Sequence, residues 1–281
     1  MNDHRAISIL DVFTRDPFAG TPTAVLDASG LSTAQLRSIA DELGVTVAGV
    51  EEAGRAVTVE GQRPSVAAII AASAAGQVDD TVESAGQSYA VTHEDRTWIG
   101  GFEPSVRSVA ADEERIAGAL GIETVALAGV GEDLPVARAS IGRPVLAVPV
   151  NYFEQVSDLD PAPGAIEECC VSFDAEIVAV YTFDTLDRDA TVHCRAFETT
   201  GGGIDERPAS GRIGGAIGAI LRRFGGIDAS EVVCEQGEFL DRPGRIAVRT
   251  DGDMAIGGHH ASALTGEIVV PDDDSDDLIV I

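Results

Sequence analysis

The sequence predicts an α+β fold in two similar halves, each an antiparallel sheet curved around one apolar helix. Three observations predict it. The first is a repeated entry: Arg63-Pro64-Ser65 leads into Val66–Ala72, and Arg207-Pro208-Ala209-Ser210-Gly211 leads into Ile213–Leu221. The second is that both following helices are apolar on every side, which suits a helix enclosed by its own sheet rather than one lying on a surface. The third is the order of elements, with strands, one small-residue helix and more strands in each half. That order is not the strand–helix alternation of a doubly wound parallel sheet.

Taken along the chain, Ile7–Phe13 reads as a strand and Thr21–Leu26 as a second, joined by the turn Asp16-Pro17-Phe18-Ala19-Gly20. Leu31-Ser32-Thr33 opens a helix with Leu36, Ile39, Ala40 and Leu43 at helical spacing, and Gly44 closes it. Strands follow over Val45–Glu51 and Ala56–Glu60, then the apolar helix Ser65–Ala75. Ser88–Thr92, Thr97–Gly100 and Val106–Val109 read as short strands, and Ala111–Leu120 as a helix with acids in its first turn, where the dipole favours them. The second half has strands at Val136–Ser140 and Val145–Val150, a polar helical stretch over Tyr152–Leu159, and strands at Ile177–Phe183 and Thr191–Phe197. The turn from Gly203 and its apolar helix come next, and then strands at Val232–Gln236, Arg245–Arg249, Met254–Gly258 and Leu264–Val270. Pro271–Asp277 reads as an acidic, solvated tail.

Composition narrows the function classes. The chain of 281 residues carries 47 acidic residues against 19 basic ones, all of them arginine, for a net charge of −28. Such a chain repels itself in dilute buffer. At 1 M salt the Debye length shrinks to about 3 Å and most of that repulsion disappears. The acids are spread from Asp3 to Asp277 rather than clustered, so we expect a cytoplasmic protein adapted to a salt-filled cytosol. With no basic stripe, nucleic acid is not expected as a partner. No apolar run is long enough to span a membrane, and Met1–Arg5 leads directly into a strand, so neither a membrane segment nor a signal peptide is expected. Cys169, Cys170, Cys194 and Cys234 lack metal-ligand spacing and read as small buried hydrophobes. His193, on a strand, reads as a satisfied structural side chain. His259-His260 are neighbours on a strand and face opposite ways, so no metal site is expected.

The two helix entries suggest chemistry. Ser65 and Ser210 are good N-caps whose hydroxyls can accept a first-turn N–H. Pro208 suits the position before a helix, and Gly211 allows another group close to the backbone. Helix N-termini of this kind attract anions. Two facing anion pockets, one per half, follow as the expectation.

At this point the chain resembles the PhzF-like isomerase family of phenazine biosynthesis, within the diaminopimelate epimerase-like superfamily, in a divergent haloarchaeal-type form. Asp11–Leu26 is similar to the family opening DVFT-x-x-PF-x-GNP-x-AVV, with Thr21 in place of the usual Asn, and Leu36–Leu43 to the helix that follows. Arg195-Ala196-Phe197, Gly203 and Arg207–Gly211 sit where the family has R-x-F … G-x-x-EDPATGS. Glu235-Gln236-Gly237 with Arg242-Pro243-Gly244 resembles its QG … RPS hairpin.

The resemblance implies two pseudo-symmetric barrel-like domains, which we place at 1–122 (central helix 65–75) and 123–270 (central helix 210–223), with the last strand returning to the first domain and 271–281 as the tail. It implies an active site between them and cofactor-independent proton transfer on a small acidic metabolite, performed by a Glu base with a His and an Asp. Those three positions do not carry over. Val47 stands for the Glu, Arg63 for the His and Arg207 for the Asp. Valine holds no proton and arginine stays charged. No cysteine stands at either helix start, so the two-thiol mechanism of the superfamily is excluded as well.

Candidate residues follow from this. Glu206, beside the lost Asp, is the candidate catalytic group; the alternative is that Asp205 and Glu206 are solvated acids. Gly20, Thr21, Arg63, Ser65, Arg207, Ala209, Ser210 and Gly211 are the candidate substrate contacts. Arg63 and Arg207 either hold a carboxylate or pair with nearby acids. Three functions stay open: an isomerase with relocated groups, a catalytically silent relative that binds a small carboxylate, or a structural, partner-binding protein. A homodimer is expected, and no cofactor.

Overall fold

The structure, a computed structural model, describes residues 3–51, 55–58, 65–84, 87–130, 134–201, 203–225, 227 and 229–272. The chain divides into two units, Met1–Gly100 with Gly258–Ile281, and Gly101–Gly257.

In the first unit β1 (His4–Val12) and β2 (Thr21–Asp27) are antiparallel, and α1 (Thr33–Leu43) carries the chain to β3 (Thr46–Glu51), parallel to β2. Parallel neighbours need such a crossover, and α1 supplies it. Its start is a capping box between Ser32 and Gln35, and Gly44 ends it at φ 63°. Leu36 and Ile39 face Ile7, Ala24, Leu26 and Val47 in one apolar cluster. β4 (Arg55–Thr58) runs antiparallel to β3, and the strand His260–Val269, the last among the described residues, pairs with β1 at the other edge. Helix α2 (Val66–Ala74) packs on β1, β2 and β3, with every residue from Val66 to Ser73 buried. β5 (Thr81–Ser84), β6 (Gln87–His93) and β7 (Thr97–Phe102) then form an antiparallel run.

The second unit holds β8 (Ser105–Ser108), α3 (Glu113–Leu120), β9 (Ala137–Ser140), β10 (Pro144–Pro149), α4 (Phe153–Ser157), α5 (Pro163–Phe173), β11 (Ile177–Thr182) and β12 (Val192–Thr200). It continues with β13 (Gly203–Glu206), α6 (Gly211–Phe224), β14 (Glu231–Gln236), β15 (Gly244–Arg249) and β16 (Met254–Gly258). Within this unit the sheet runs β16-β15-β14-β12-β11-β10-β9-β8, with β13 hanging on β12. All six residues of β11 are buried because helices cover both faces of the sheet. On one side α3 and α5 pack Ile116, Leu120, Ile166, Cys169 and Cys170 against Leu146, Val148, Val178 and Val180. On the other lies α6. A side chain at Gly214 or Gly218 would collide with Ile246 or Val248, with Cβ contacts of 2.8 Å at each, so glycine lets the helix settle onto β15.

The two units repeat one order. In each, an antiparallel pair is followed by a helix, a parallel strand, an antiparallel strand, a buried helix and an antiparallel three-strand run. β1-β2-α1-β3-β4-α2-β5-β6-β7 thus matches β9-β10-α5-β11-β12-α6-β14-β15-β16. This is the α+β architecture with one buried helix per half, amended in two ways. The sheets are mixed, since β2–β3, β10–β11 and β12–β14 are parallel, each pair joined through a helix. Helix α5 is absent from the sequence reading, and Gly203–Glu206, read as a turn, is a strand. β8 and α3, which precede the expected boundary at 122, belong to the second unit, so the division falls at Gly100/Gly101 instead. Most of the acidic tail, residues 273–281, lies outside the described residues.

Candidate functional site

In the second unit the site begins with Gln236, the last residue of β14, whose side chain is fully buried. Its amide oxygen accepts from the Ser210 N–H at 3.2 Å, and its NH2 donates to the carbonyls of Arg207 (2.9 Å) and Pro208 (3.0 Å). One side chain therefore fixes the whole approach to α6. Gly237 is required next to it: at φ 103° a Cβ would stand 2.3 Å from the Arg242 carbonyl oxygen.

Ser210 occupies the N-cap position, and its carbonyl accepts from Ile213 and Gly214 at 3.0 Å. Its hydroxyl makes no capping bond, contrary to the sequence expectation. Ser32 and Ser65, with φ −78° and −67°, do cap with their hydroxyls; Ser210 is held at φ −133°, ψ 120°, with its N–H tied to Gln236. Tertiary clamping has overridden the local motif. Ala209 and Gly211 are buried beside it.

Glu206 is held in an ion pair. Arg195 donates to both of its oxygens, Nε to Oε1 at 3.1 Å and Nη2 to Oε2 at 2.8 Å, and the two side chains are only 11 % and 13 % exposed. Arg195 is itself fixed by the carbonyls of Val156, Ser157 and Leu159 and lies 4.4 Å over the Phe239 ring. Each oxygen of Glu206 thus takes part in a charge-assisted hydrogen bond. Arg207 is 44 % exposed, and its Nε pairs with Glu198 at 3.2 Å. Glu198 is shared with Arg143, which also pairs with Glu176. Arg207 thus makes an ion pair through Nε.

In the first unit the β1–β2 turn is built around buried Asp11, whose carboxylate accepts from the Phe18 N–H at 2.6 Å. Gly20 sits at φ 55°, where a Cβ would lie 2.2 Å from the Val12 carbonyl oxygen. Thr21 pairs with Val12 across the strands. Ser65 caps α2 through its hydroxyl, which accepts from the Ala68 N–H at 3.0 Å. Val47, fully buried on β3, packs in the α1 cluster and offers no titratable group. Arg63 lies outside the described residues.

Sequence reasoning missed one group. His193 and Glu235 are register partners on the parallel strands β12 and β14, and Glu238 follows in a short 3-10 turn, Glu238–Leu240. His193 Nδ1 lies 3.1 Å from Glu235 Oε1 and 4.0 Å from Glu238 Oε2. Glu235 also accepts from the N–H groups of Leu186 and Asp187. His193 Nε2 and Glu238 Oε2 are buried without a hydrogen-bond partner, so His193 is only half satisfied. Burial pushes the Glu238 carboxyl above the usual carboxylate range. The four cysteines are buried thiols, and none is paired. Desolvation pushes Cys170 up to about 11 and Cys234 up to about 12.

The duplicated strand–helix order, with one buried helix in each unit, defines the class, a two-unit α+β fold. Residues 64–271 match the PhzC-PhzF family of phenazine biosynthesis-like proteins, and the chain belongs to that family. A Bacillus subtilis (strain 168) protein, the uncharacterized isomerase YfhB, is 27 % identical over 166 residues, 59 % of this chain and 55 % of that protein. The match thus spans about half of that relative's length. Among solved structures, a PhzF-family phenazine biosynthesis protein from Bacillus anthracis superposes with a TM-score of 0.80 at 20 % identity, covering 95 % of this chain and all of the other. The structure of a "Predicted Epimerase" from Pseudomonas aeruginosa gives 0.76 at 24 % identity, covering 95 % and 100 %. Both likenesses concern the fold. Among the described residues, no helix is long and apolar enough to cross a membrane.

Proposed function

We propose that this chain is a member of an isomerase family that binds a small carboxylate-bearing metabolite at its helix starts without moving a proton by the family's usual route. One observation carries the reading: Glu206, the acid best placed to replace the missing catalytic groups, has both oxygens engaged by Arg195. Val47 adds to it, since a core valine stands where the family places its base. The binding part rests on the family relationship together with the clamped start of α6, a fourteen-residue helix whose dipole favours an anion at that end. The half-exposed Arg207, three residues ahead of Ser210 in the chain and bound to Glu198 through Nε, carries a positive charge. We take the ligand to be bound without a cofactor, and the protein to work as a cytoplasmic homodimer in concentrated salt; the charge of −28 supports the last point.

A second reading keeps the isomerase activity, with the proton handled elsewhere. The relative from Bacillus subtilis carries the name isomerase, and that speaks for it. Ligand-observed NMR with a panel of small mono- and dicarboxylates in molar salt separates the readings when exchange from D2O is followed in the same tubes. Binding that Arg207→Leu weakens, with no enzyme-dependent exchange, supports the proposal. Exchange in any bound ligand overturns it in favour of the second reading, and the absence of binding overturns both.

A further inference from the structure

We infer that His193, Glu235 and Glu238 form a divalent-metal site of the zinc type inside the second unit. The three residues come from β12, the end of β14 and the turn that follows it, and their ligand atoms all lie within 4.8 Å of one another. The set is buried rather than a solvated patch of acids. The side chains of His193 and Glu235 are 0 % and 2 % exposed, and that of Glu238 is 20 % exposed.

A second observation points to a ligand. Glu238 Oε2 is aimed at His193 Nδ1 from 4.0 Å, too far for a hydrogen bond, and has no partner; His193 Nε2 is likewise fully buried and unpartnered. Buried polar atoms are almost always satisfied, so the orphaned Glu238 oxygen facing the imidazole calls for an occupant. The electrostatics name its sign. Two carboxylates with one imidazole between them leave negative charge in a desolvated place, and such charge is retained only when it is paired or coordinates a metal. Arg245, which acts on Glu238 electrostatically, is already paired with Asp187.

The donor set names the class. One imidazole nitrogen and two carboxylate oxygens suit a borderline divalent ion such as Zn2+ better than the all-oxygen sites of Mg2+ or Ca2+. With bonds of about 2.0–2.2 Å, tetrahedral ligands stand roughly 3.4 Å apart, so the 4.8 Å cluster must close by about 1.4 Å. The short turn carrying Glu238 is the element placed to move. On binding, Nδ1 gives up its contact with Glu235 and faces the ion, and the imidazole proton moves to Nε2, among the rings of Phe153 and Phe239 that pack around His193 at 4.8 and 5.9 Å. Glu235 remains oriented by the Leu186 and Asp187 N–H groups, the outer support that metal carboxylates use. Such an ion would tie β12, β14 and the loop after β11 together.

The test uses the full chain, stripped with EDTA and titrated with ZnCl2 in molar salt, with Co2+ as a spectroscopic substitute. The His259-His260 pair is removed in a control variant, His259→Ala/His260→Ala, because it is a second imidazole source. Expected are one equivalent bound, a visible Co2+ absorption band, and a higher Tm with Zn2+. All three should persist in the control. Glu238→Gln, which keeps the side-chain shape, should weaken Zn2+ binding at least tenfold and abolish the band, and His193→Ala should do the same. If His193→Ala does not fold, Glu238→Gln decides alone. Binding unchanged in Glu238→Gln, loss of binding only in the His259/His260 variant, or no stoichiometric Zn2+ in the parent overturns the inference.

Discussion

Replacing Glu206 by Gln should destabilise the second unit, because that carboxylate holds β13 and the end of α4 through Arg195. Exposed ion pairs contribute about 0.2–1 kcal/mol, whereas removing one member of a fully buried pair costs about 3–5 kcal/mol. This pair, at 11 % and 13 % exposure, lies near the buried limit. Two features lower the cost: glutamine still accepts one of the two N–H bonds, and Arg195 keeps the carbonyls of Val156, Ser157 and Leu159. We therefore expect a loss of about 2 kcal/mol, between the two limits. The assay is urea unfolding in molar salt of the parent, Glu206→Gln, Arg195→Met and the double variant. The cycle should give a coupling of about 1–2 kcal/mol, since contacting residues in one network are not additive. Salt should leave most of it intact, because screening acts weakly on a pair shielded from solvent. A Glu206→Gln variant as stable as the parent, with coupling near zero, would refute the reasoning and return Glu206 to the role of a free base.

Other outcomes follow from the same geometry. Gln236→Leu removes three hydrogen bonds from the loop before α6 and should cost about 2–4 kcal/mol, read by denaturant unfolding, while also weakening carboxylate binding. Gly20→Ala forces a Cβ against the Val12 carbonyl oxygen at φ 55° and should lower stability by at least about 2 kcal/mol, whereas Gly30→Ala, with open space around it, should cost less. The thiols should resist Ellman's reagent in the native state at pH 8 and all react after unfolding. Cys170 and Cys234 ionise near 9.0 when unfolded but at about 11 and 12 when folded. Folding thus favours their protonated forms, and stability should be fully present below pH 9 and fall as pH rises through 11 to 12.

Much of the fold was legible because burial leaves a periodic trace. The runs at Val66–Ala74 and Ile213–Leu221 announced the two enclosed helices, and Ser32 with Gly44 bounded α1. Helix α5 escaped because its core face is Ile166, Cys169 and Cys170, two of them cysteines, while Val171 on the same helix is exposed. The strand Gly203–Glu206 read as a turn because glycines lead into it and only four residues of strand follow, paired in a tight hairpin with β12. The site was less legible because its partners are set by pairing between elements. Arg195 meets Glu206 through hairpin register, Gln236 reaches back 26 residues to Ser210, and His193 finds Glu235 across a parallel pair 42 residues apart. Nothing in the local sequence marks such partners. Local chemistry suggested that Ser210 caps with its hydroxyl, which it does not, and it gave no sign that Arg195 pairs with Glu206.

The most direct test of the central claim is solvent-deuterium exchange. Small carboxylate metabolites that bind the protein are incubated with it in D2O at molar salt, and deuterium at carbon is followed by NMR and mass spectrometry. Binding with no exchange above the protein-free rate is expected for the parent and for Glu206→Gln alike. Exchange by the parent that disappears in a folded Glu206→Gln variant would contradict it.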